Sequence, residues 1–182
     1  MTQKPLYEQQ YQNWLDSTII DEASKAELRA ISGNKAEVED RFYQDLEFGT
    51  AGLRGKIGAG TNRMNEYIIA RATDAFAKVI KSFGDEFAAK GVAIAYDCRL
   101  FSKEFSLTAA LVLASHGIKS YVFDALRPTP ELSFAIRRLG AAGGINVTAS
   151  HNPKNYNGYK VYWQEGSQIK DDIANLILAE IN

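Results

Sequence analysis

From residue 65 onward, short apolar runs alternate with longer stretches of helical periodicity, and this alternation limits the chain to few architectures. Val92–Tyr96, Tyr121–Phe123 and Gly144–Thr148 read as buried strands, and Tyr159–Trp163 as a fourth. Helical patterns run between and around them. One spans Asn65–Phe83 and stops at Gly84. One starts at Ser102, an expected N-cap, and closes at Gly117. One has Thr129 as its expected N-cap with Pro130 at the first helical position and ends near Leu139. The last covers Asp171–Ile181. Strands separated by helices of this length predict βαβ units. The expectation is an α/β domain with a mainly parallel or mixed sheet and helices on both faces.

The first third reads differently. Leu6, Tyr7, Tyr11, Trp14 and Leu15 recur at helical steps, Glu22–Ile31 predicts a second helix, and Lys35–Tyr43 a third. Residues 1–43 are expected to form a helical arm laid on an α/β/α domain of residues 44–182. Between the two lies Phe48-Gly49-Thr50-Ala51-Gly52-Leu53-Arg54-Gly55, whose three glycines and following Gly58 and Gly60 predict loop.

Composition excludes several classes. The net charge of −1 offers no basic field for nucleic acid or an anionic membrane surface. No apolar run approaches the roughly 20 residues of a membrane span. The N-terminus has no apolar signal core, and the single cysteine, Cys98, precludes an internal disulfide, so a cytoplasmic location is expected. One cysteine and two distant histidines cannot assemble a zinc site.

Four segments carry candidate chemistry. The glycine run at 49–55 could present backbone N–H groups and Arg54 to an anion, or could need glycine for sterics alone; spacing favours sterics. Ser150, in Thr148-Ala149-Ser150-His151-Asn152-Pro153, follows a strand at the end where α/β sheets bind ligands, and Asn152-Pro153 predicts a turn that exposes its hydroxyl. Turn chemistry alone would make it an inert polar corner. Ser115-His116 repeats the Ser-His pair at an expected helix end, where the histidine can meet the last carbonyls, so the dipeptide by itself means nothing. Lys160, after Asn157-Gly158-Tyr159, could reach a phosphate or could be a solvated strand lysine. The acidic run Glu37-Val38-Glu39-Asp40 reads as a solvated helix face.

In combination, FGTAGLRG at 48–55, TASHNP at 148–153 and NGYK at 157–160 resemble the α-D-phosphohexomutases, the phosphoglucomutases and phosphomannomutases. The likeness covers about residue 40 to the end and is strongest to the branch holding phosphoglucomutases and phosphopentomutases. It implies domain I of that family, with Ser150 carrying a phosphoryl group. That group passes to a sugar monophosphate, giving a bisphosphate, whose other phosphate returns to Ser150. It implies that Arg54, with Thr50 and Gly52, binds phosphate. It implies that His151 supports the serine loop and that Lys160 contacts substrate or moves a proton. It further implies Mg²⁺ held by the Ser150 phosphate together with carboxylates, and a sugar bisphosphate as activator. The family's Asp-x-Asp-x-Asp-Arg metal loop and its sugar-recognition loops are absent from this sequence. The expectation is therefore one domain of an enzyme whose remaining domains supply the rest, with negligible activity alone. The competing expectation is a non-catalytic module that binds sugar phosphate.

Overall fold

In the computed structural model, which describes residues 5–181, eight helices and five strands follow one another along the chain. They are α1 (Leu6–Asp16), α2 (Glu22–Ala30), α3 (Lys35–Phe42), β1 (Gly52–Lys56), α4 (Glu66–Ser82), α5 (Asp85–Ala89), β2 (Val92–Tyr96), α6 (Ser102–Ser115), β3 (Ser120–Val122), α7 (Thr129–Leu139), β4 (Gly143–Val147), β5 (Tyr156–Trp163) and α8 (Asp171–Ile181). The strands form one sheet in the order β1-β5-β4-β2-β3. β2 pairs in parallel with β3 and β4, while β5 is antiparallel to both β4 and β1. The sheet is thus mixed, with β5 alone running against the rest. Residues 148–155 link β4 to β5 directly; a link this short permits a hairpin and not a parallel crossover.

Alternation along the strands separates two apolar layers. Ile94, Ile145, Val147, Tyr159, Val161 and Trp163 pack with buried residues of α4, α6 and α8. α4 carries this layer: Ile69, Ala72, Phe76, Ala77 and Ile80 are almost wholly enclosed, because the helix lies against the sheet and between two other helices. On the opposite face Ala93, Ala95 and Tyr162 meet Leu132 and Ile136 of α7. The expected α/β class with helices on both faces is observed.

A third cluster joins Leu28, Val38 and Phe42 to Ala59, with Tyr11 and Trp14 set edge-on to Phe42. Around it Arg41 pairs with Glu27 and Glu37, and Arg63 pairs with Glu37 and Asp40. The acidic run is therefore only partly the solvated face expected: Glu39 is exposed, while Glu37 and Asp40 are held in ion pairs. The buried Arg63 guanidinium lies 2.6 Å from Asp40, and its hydrogen bond to that carboxyl lowers the Asp40 pKa. Nothing near residue 40 in the sequence announces that partner.

Three further expectations need correction. β1 was expected to be loop, but Gly52 has φ +141°, and a Cβ there would stand 1.9 Å from the Tyr159 carbonyl oxygen. Glycine serves here to let two strands approach closely. Ser102 does not cap α6: the cap position is Phe101, in the left-handed region at φ 63°, and the Ser102 hydroxyl donates to Asp97 Oδ1 (2.8 Å). Thr129 is the first residue of α7 after a Pro128 cap, and its hydroxyl accepts from Asn146 Nδ2 (2.9 Å). The expected terminator glycines hold: Gly84 (φ 99°) and Gly117 (φ 74°) each follow the last helical turn.

Candidate active site

Ser150 lies three residues beyond β4, at the carboxyl end of three strands that run in parallel. It is exposed and has φ 56°, one of two non-glycine residues with positive φ among those described. A serine in that region costs about 1–2 kcal/mol, so its surroundings must impose it. Its backbone N–H donates to the Thr148 hydroxyl (2.9 Å), and Asn152 N–H closes a turn on the Ala149 carbonyl (3.1 Å). Among the described residues the Ser150 hydroxyl has one polar side-chain neighbour, the adjacent His151, at 3.4 Å from Nδ1, and His151 is itself exposed. That distance is too long for a tight nucleophile–base pair.

The inner side of this loop is held by a residue the sequence did not single out. Arg99, just past β2, donates from Nη1 to the carbonyls of Pro153 (2.9 Å) and Tyr156 (3.1 Å). From Nη2 it donates to those of Ser150 (2.8 Å) and Asn152 (2.6 Å). Its Nε lies 3.6 Å from Asp97 Oδ2, and its side chain is only 12% exposed. Asp97 also accepts from the Ser102 hydroxyl and the Arg99 N–H. Buried Asn157 adds a second tie, donating to the Leu100 carbonyl (2.9 Å) and Ser102 Oγ (3.0 Å). The available signal was Asp97-x-Arg99 directly after a strand, in the parallel neighbour of the strand that leads to Ser150.

Strand register sets the positions of the other predicted residues. Arg54 lies opposite Gly158, and Lys160 lies between Asn146 on one side and Gly52 on the other. With period-two alternation, Arg54 and Lys160 share one face of the sheet and are diagonal neighbours. Gly158 leaves the position across from Arg54 bare; a Cβ there would stand 2.6 Å from the Thr148 carbonyl oxygen. Arg54 is exposed and donates from Nη1 to Asn152 Oδ1 (3.3 Å), so it reaches the serine loop. Lys160 is half-buried, and no side-chain partner of it is found among the described residues. Thr50 stands apart: it is exposed in the Gly49–Gly52 turn and makes no described contact with the serine loop. Gly52 is held by backbone packing against β5.

The structure also separates the two Ser-His pairs. His116 Nε2 is 2.7 Å from Asp74 Oδ1 on α4, so its ring joins two helices instead of meeting the helix-end carbonyls. Cys98 is exposed, between the two residues of the Asp97–Arg99 pair. Among the described residues no group of three or more His, Cys, Asp or Glu side chains could hold a metal ion. Mg²⁺ takes six ligands in octahedral geometry, and near Ser150 the carboxylate of Asp97 is already engaged by Arg99 and Ser102. The side chains present do not complete a Mg²⁺ site. A cavity of about 390 Å³ lies elsewhere, where α2 meets the starts of α4 and α6, and none of the predicted site residues lines it.

The chain is similar in sequence and fold to known proteins. A family model described as phosphoglucomutase/phosphomannomutase, alpha/beta/alpha domain I, matches residues 45–182. A phosphoglucomutase of Staphylococcus epidermidis is 42% identical over 162 residues, which cover 89% of this chain and 29% of that protein. A phosphopentomutase of Pongo abelii is 39% identical over 166 residues, covering 88% of this chain and 27% of that protein. A crystal structure of a phosphoglucomutase/phosphomannomutase family protein from Burkholderia thailandensis superposes with a TM-score of 0.59 at 28% identity, over 74% of this chain and 29% of that one. The chain thus spans under a third of the length of these relatives. With its mixed sheet and its serine loop at the strand ends, the chain belongs to the phosphoglucomutase/phosphomannomutase family and carries that family's domain I.

Proposed function

We propose that this chain is the phosphoserine-bearing domain of a phosphoglucomutase-type isomerase. The reaction is intramolecular phosphoryl transfer, interconverting hexose 1-phosphate and hexose 6-phosphate through phospho-Ser150 and a bisphosphate intermediate. The observation that carries the reading is Ser150 itself: exposed, held at positive φ beyond β4, with the Arg54 side chain tied to the same loop.

In the first half-reaction a sugar hydroxyl oxygen attacks phosphorus. The bond between phosphorus and Ser150 Oγ breaks, a new bond to the sugar oxygen forms, and the hydroxyl proton passes to a base as Oγ regains one. The second half is the same step reversed, at the other phosphate of the turned intermediate. A phosphoserine brings about −1.5 to −2 of charge. Arg54 and Lys160 supply positive charge on the adjoining strands, where they bind and orient a second phosphate; Lys160 also stands as the proton carrier, and His151 buttresses the loop. Thr50 and Gly52, from the β1 turn, add phosphate contacts in this reading only if the substrate extends along the β1 edge. Residues 1–43 act as an arm on a domain of residues 44–182. Mg²⁺ would supply charge neutralisation for the transfer, with the Ser150 phosphate as its single ligand from this chain and carboxylates from further domains as the others. A sugar bisphosphate would serve as activator by phosphorylating Ser150. In this reading the setting is cytoplasmic.

The test is Ser150→Ala in the enzyme that carries this domain with the further length of its relatives. Conversion of glucose 1-phosphate to glucose 6-phosphate should be abolished. Full turnover in that variant would refute the reading.

A further inference from the structure

Arg99 has a geometry beyond that of an ordinary loop anchor. Its two terminal nitrogens carry four N–H groups, and all four are directed at carbonyls of one segment, Ser150, Asn152, Pro153 and Tyr156. A trans peptide is planar, with its N–H pointing opposite to its C=O. Each carbonyl drawn inward therefore turns the next residue's N–H outward. After Ser150 that N–H belongs to His151, and after Pro153 it belongs to Lys154; Pro153 itself has none to offer. The N–H groups of His151 and Lys154 find no partner among the described residues. Outward N–H groups without a partner beside a loop serine are donors that an anion can take up.

We infer that Arg99 is a positioning residue for phosphoryl transfer at Ser150. By gathering the loop's carbonyls it holds Ser150 at φ 56° and turns the His151 and Lys154 amides toward a phosphoryl group on the serine. The inference rests on the proposed role of Ser150 as phosphoryl carrier. Asp97 completes the device by fixing the guanidinium from below, and Ser102 and Asn157 brace Asp97 and the β5 end of the loop. Lysine cannot replace Arg99 here, since one ammonium offers three donors from a single point and cannot span four carbonyls.

The experiment uses the full-length enzyme with Arg99→Lys, Arg99→Ala and Ser150→Ala, each checked for native thermal unfolding. Misplacement of a reacting group by about 1 Å costs on the order of 10²-fold, so kcat of both Arg99 variants should fall by about that factor while KM for the sugar phosphate stays within about threefold. Millimolar guanidinium should restore part of the kcat of Arg99→Ala and none of that of Ser150→Ala. Should Arg99→Ala fail to fold, Arg99→Lys carries the test through its kcat and KM. Wild-type kcat in Arg99→Lys or in a folded Arg99→Ala, with Ser150→Ala inactive, would overturn this inference and leave the carrier role intact. An active Ser150→Ala would instead overturn the carrier role.

Discussion

Replacing Gly52 by alanine tests whether close backbone approach, and not a phosphate, explains the glycine in β1. The added Cβ would stand 1.9 Å from the Tyr159 carbonyl oxygen and 2.9 Å from its carbon, where real Cβ contacts do not fall below 3.0 Å. Restoring contact from 1.9 to 3.0 Å requires β1 to withdraw from β5 by about 1.1 Å. The change also forces an L side chain to φ +141°. Backbone strain of about 1–3 kcal/mol and overpacking of a similar size together suggest a loss of about 2–6 kcal/mol. For a chain of this size each kcal/mol lowers Tm by about 2–4 °C, so the drop should be roughly 4–24 °C. Circular dichroism melting of the 182-residue chain measures it. Gly33→Ala is the control, since nothing lies within 4 Å of its added Cβ. If the two variants melt within about 2 °C of each other, the close-approach account of β1 is wrong. The same withdrawal would carry Arg54 away from Asn152, so the full-length Gly52→Ala enzyme should bind substrate more weakly even where it remains folded.

Other expectations concern the arm, the start of α4 and the isolated chain. Asp21 caps α2 and accepts from the Ser24 hydroxyl and backbone N–H, which with the Tyr67 hydroxyl lower its pKa from 3.8 to about 2. A carboxyl depressed on folding contributes above its unfolded pKa and loses that contribution as pH falls through the folded one. Asp21→Ala should therefore cost about 1 kcal/mol at pH 7, and the urea-midpoint gap from wild type should close as pH falls from 3.8 to about 2. A gap unchanged at the lowest pH contradicts the assignment. Buried Asn65 caps α4 by accepting from Ile68 N–H while its amide donates to the Gly58 and Gly60 carbonyls. Asn65→Ala should lose about 2–4 kcal/mol in denaturant unfolding, more than a cap alone, because two buried carbonyls lose their donor. The 182-residue chain by itself should show no measurable conversion of glucose 1-phosphate, and robust turnover would show that no further domain is needed.

Much of the α/β domain was legible because its signals are local. Val92–Tyr96 is apolar throughout and is buried throughout, and Gly84 and Gly117 stop helices where a positive φ is needed. The position of Ser150 followed from a strand running into Asn-Pro. What escaped depended on partners distant in sequence. The strand at Gly52–Lys56 was hidden by its glycines: Gly52 answers to Tyr159 on β5, about a hundred residues on, and Gly55 to the Leu46 side chain. Ser102 and Thr129 have the chemistry of helix caps, yet tertiary hydrogen bonds to Asp97 and Asn146 take their hydroxyls. Arg99 went unmarked because its four acceptors are backbone carbonyls, which no side-chain pattern reveals. His116 kept its structural role with a different partner, Asp74 of a neighbouring helix.

The most direct measurement of the central claim is the intact mass of the full-length enzyme after incubation with a sugar bisphosphate. The account predicts the added mass of one phosphoryl group, mapped by fragmentation to Ser150, present in wild type, absent in Ser150→Ala, and discharged by addition of hexose monophosphate. A phosphoryl group located on any other residue, or an unmodified Ser150 in an enzyme that turns over at full rate, would contradict it.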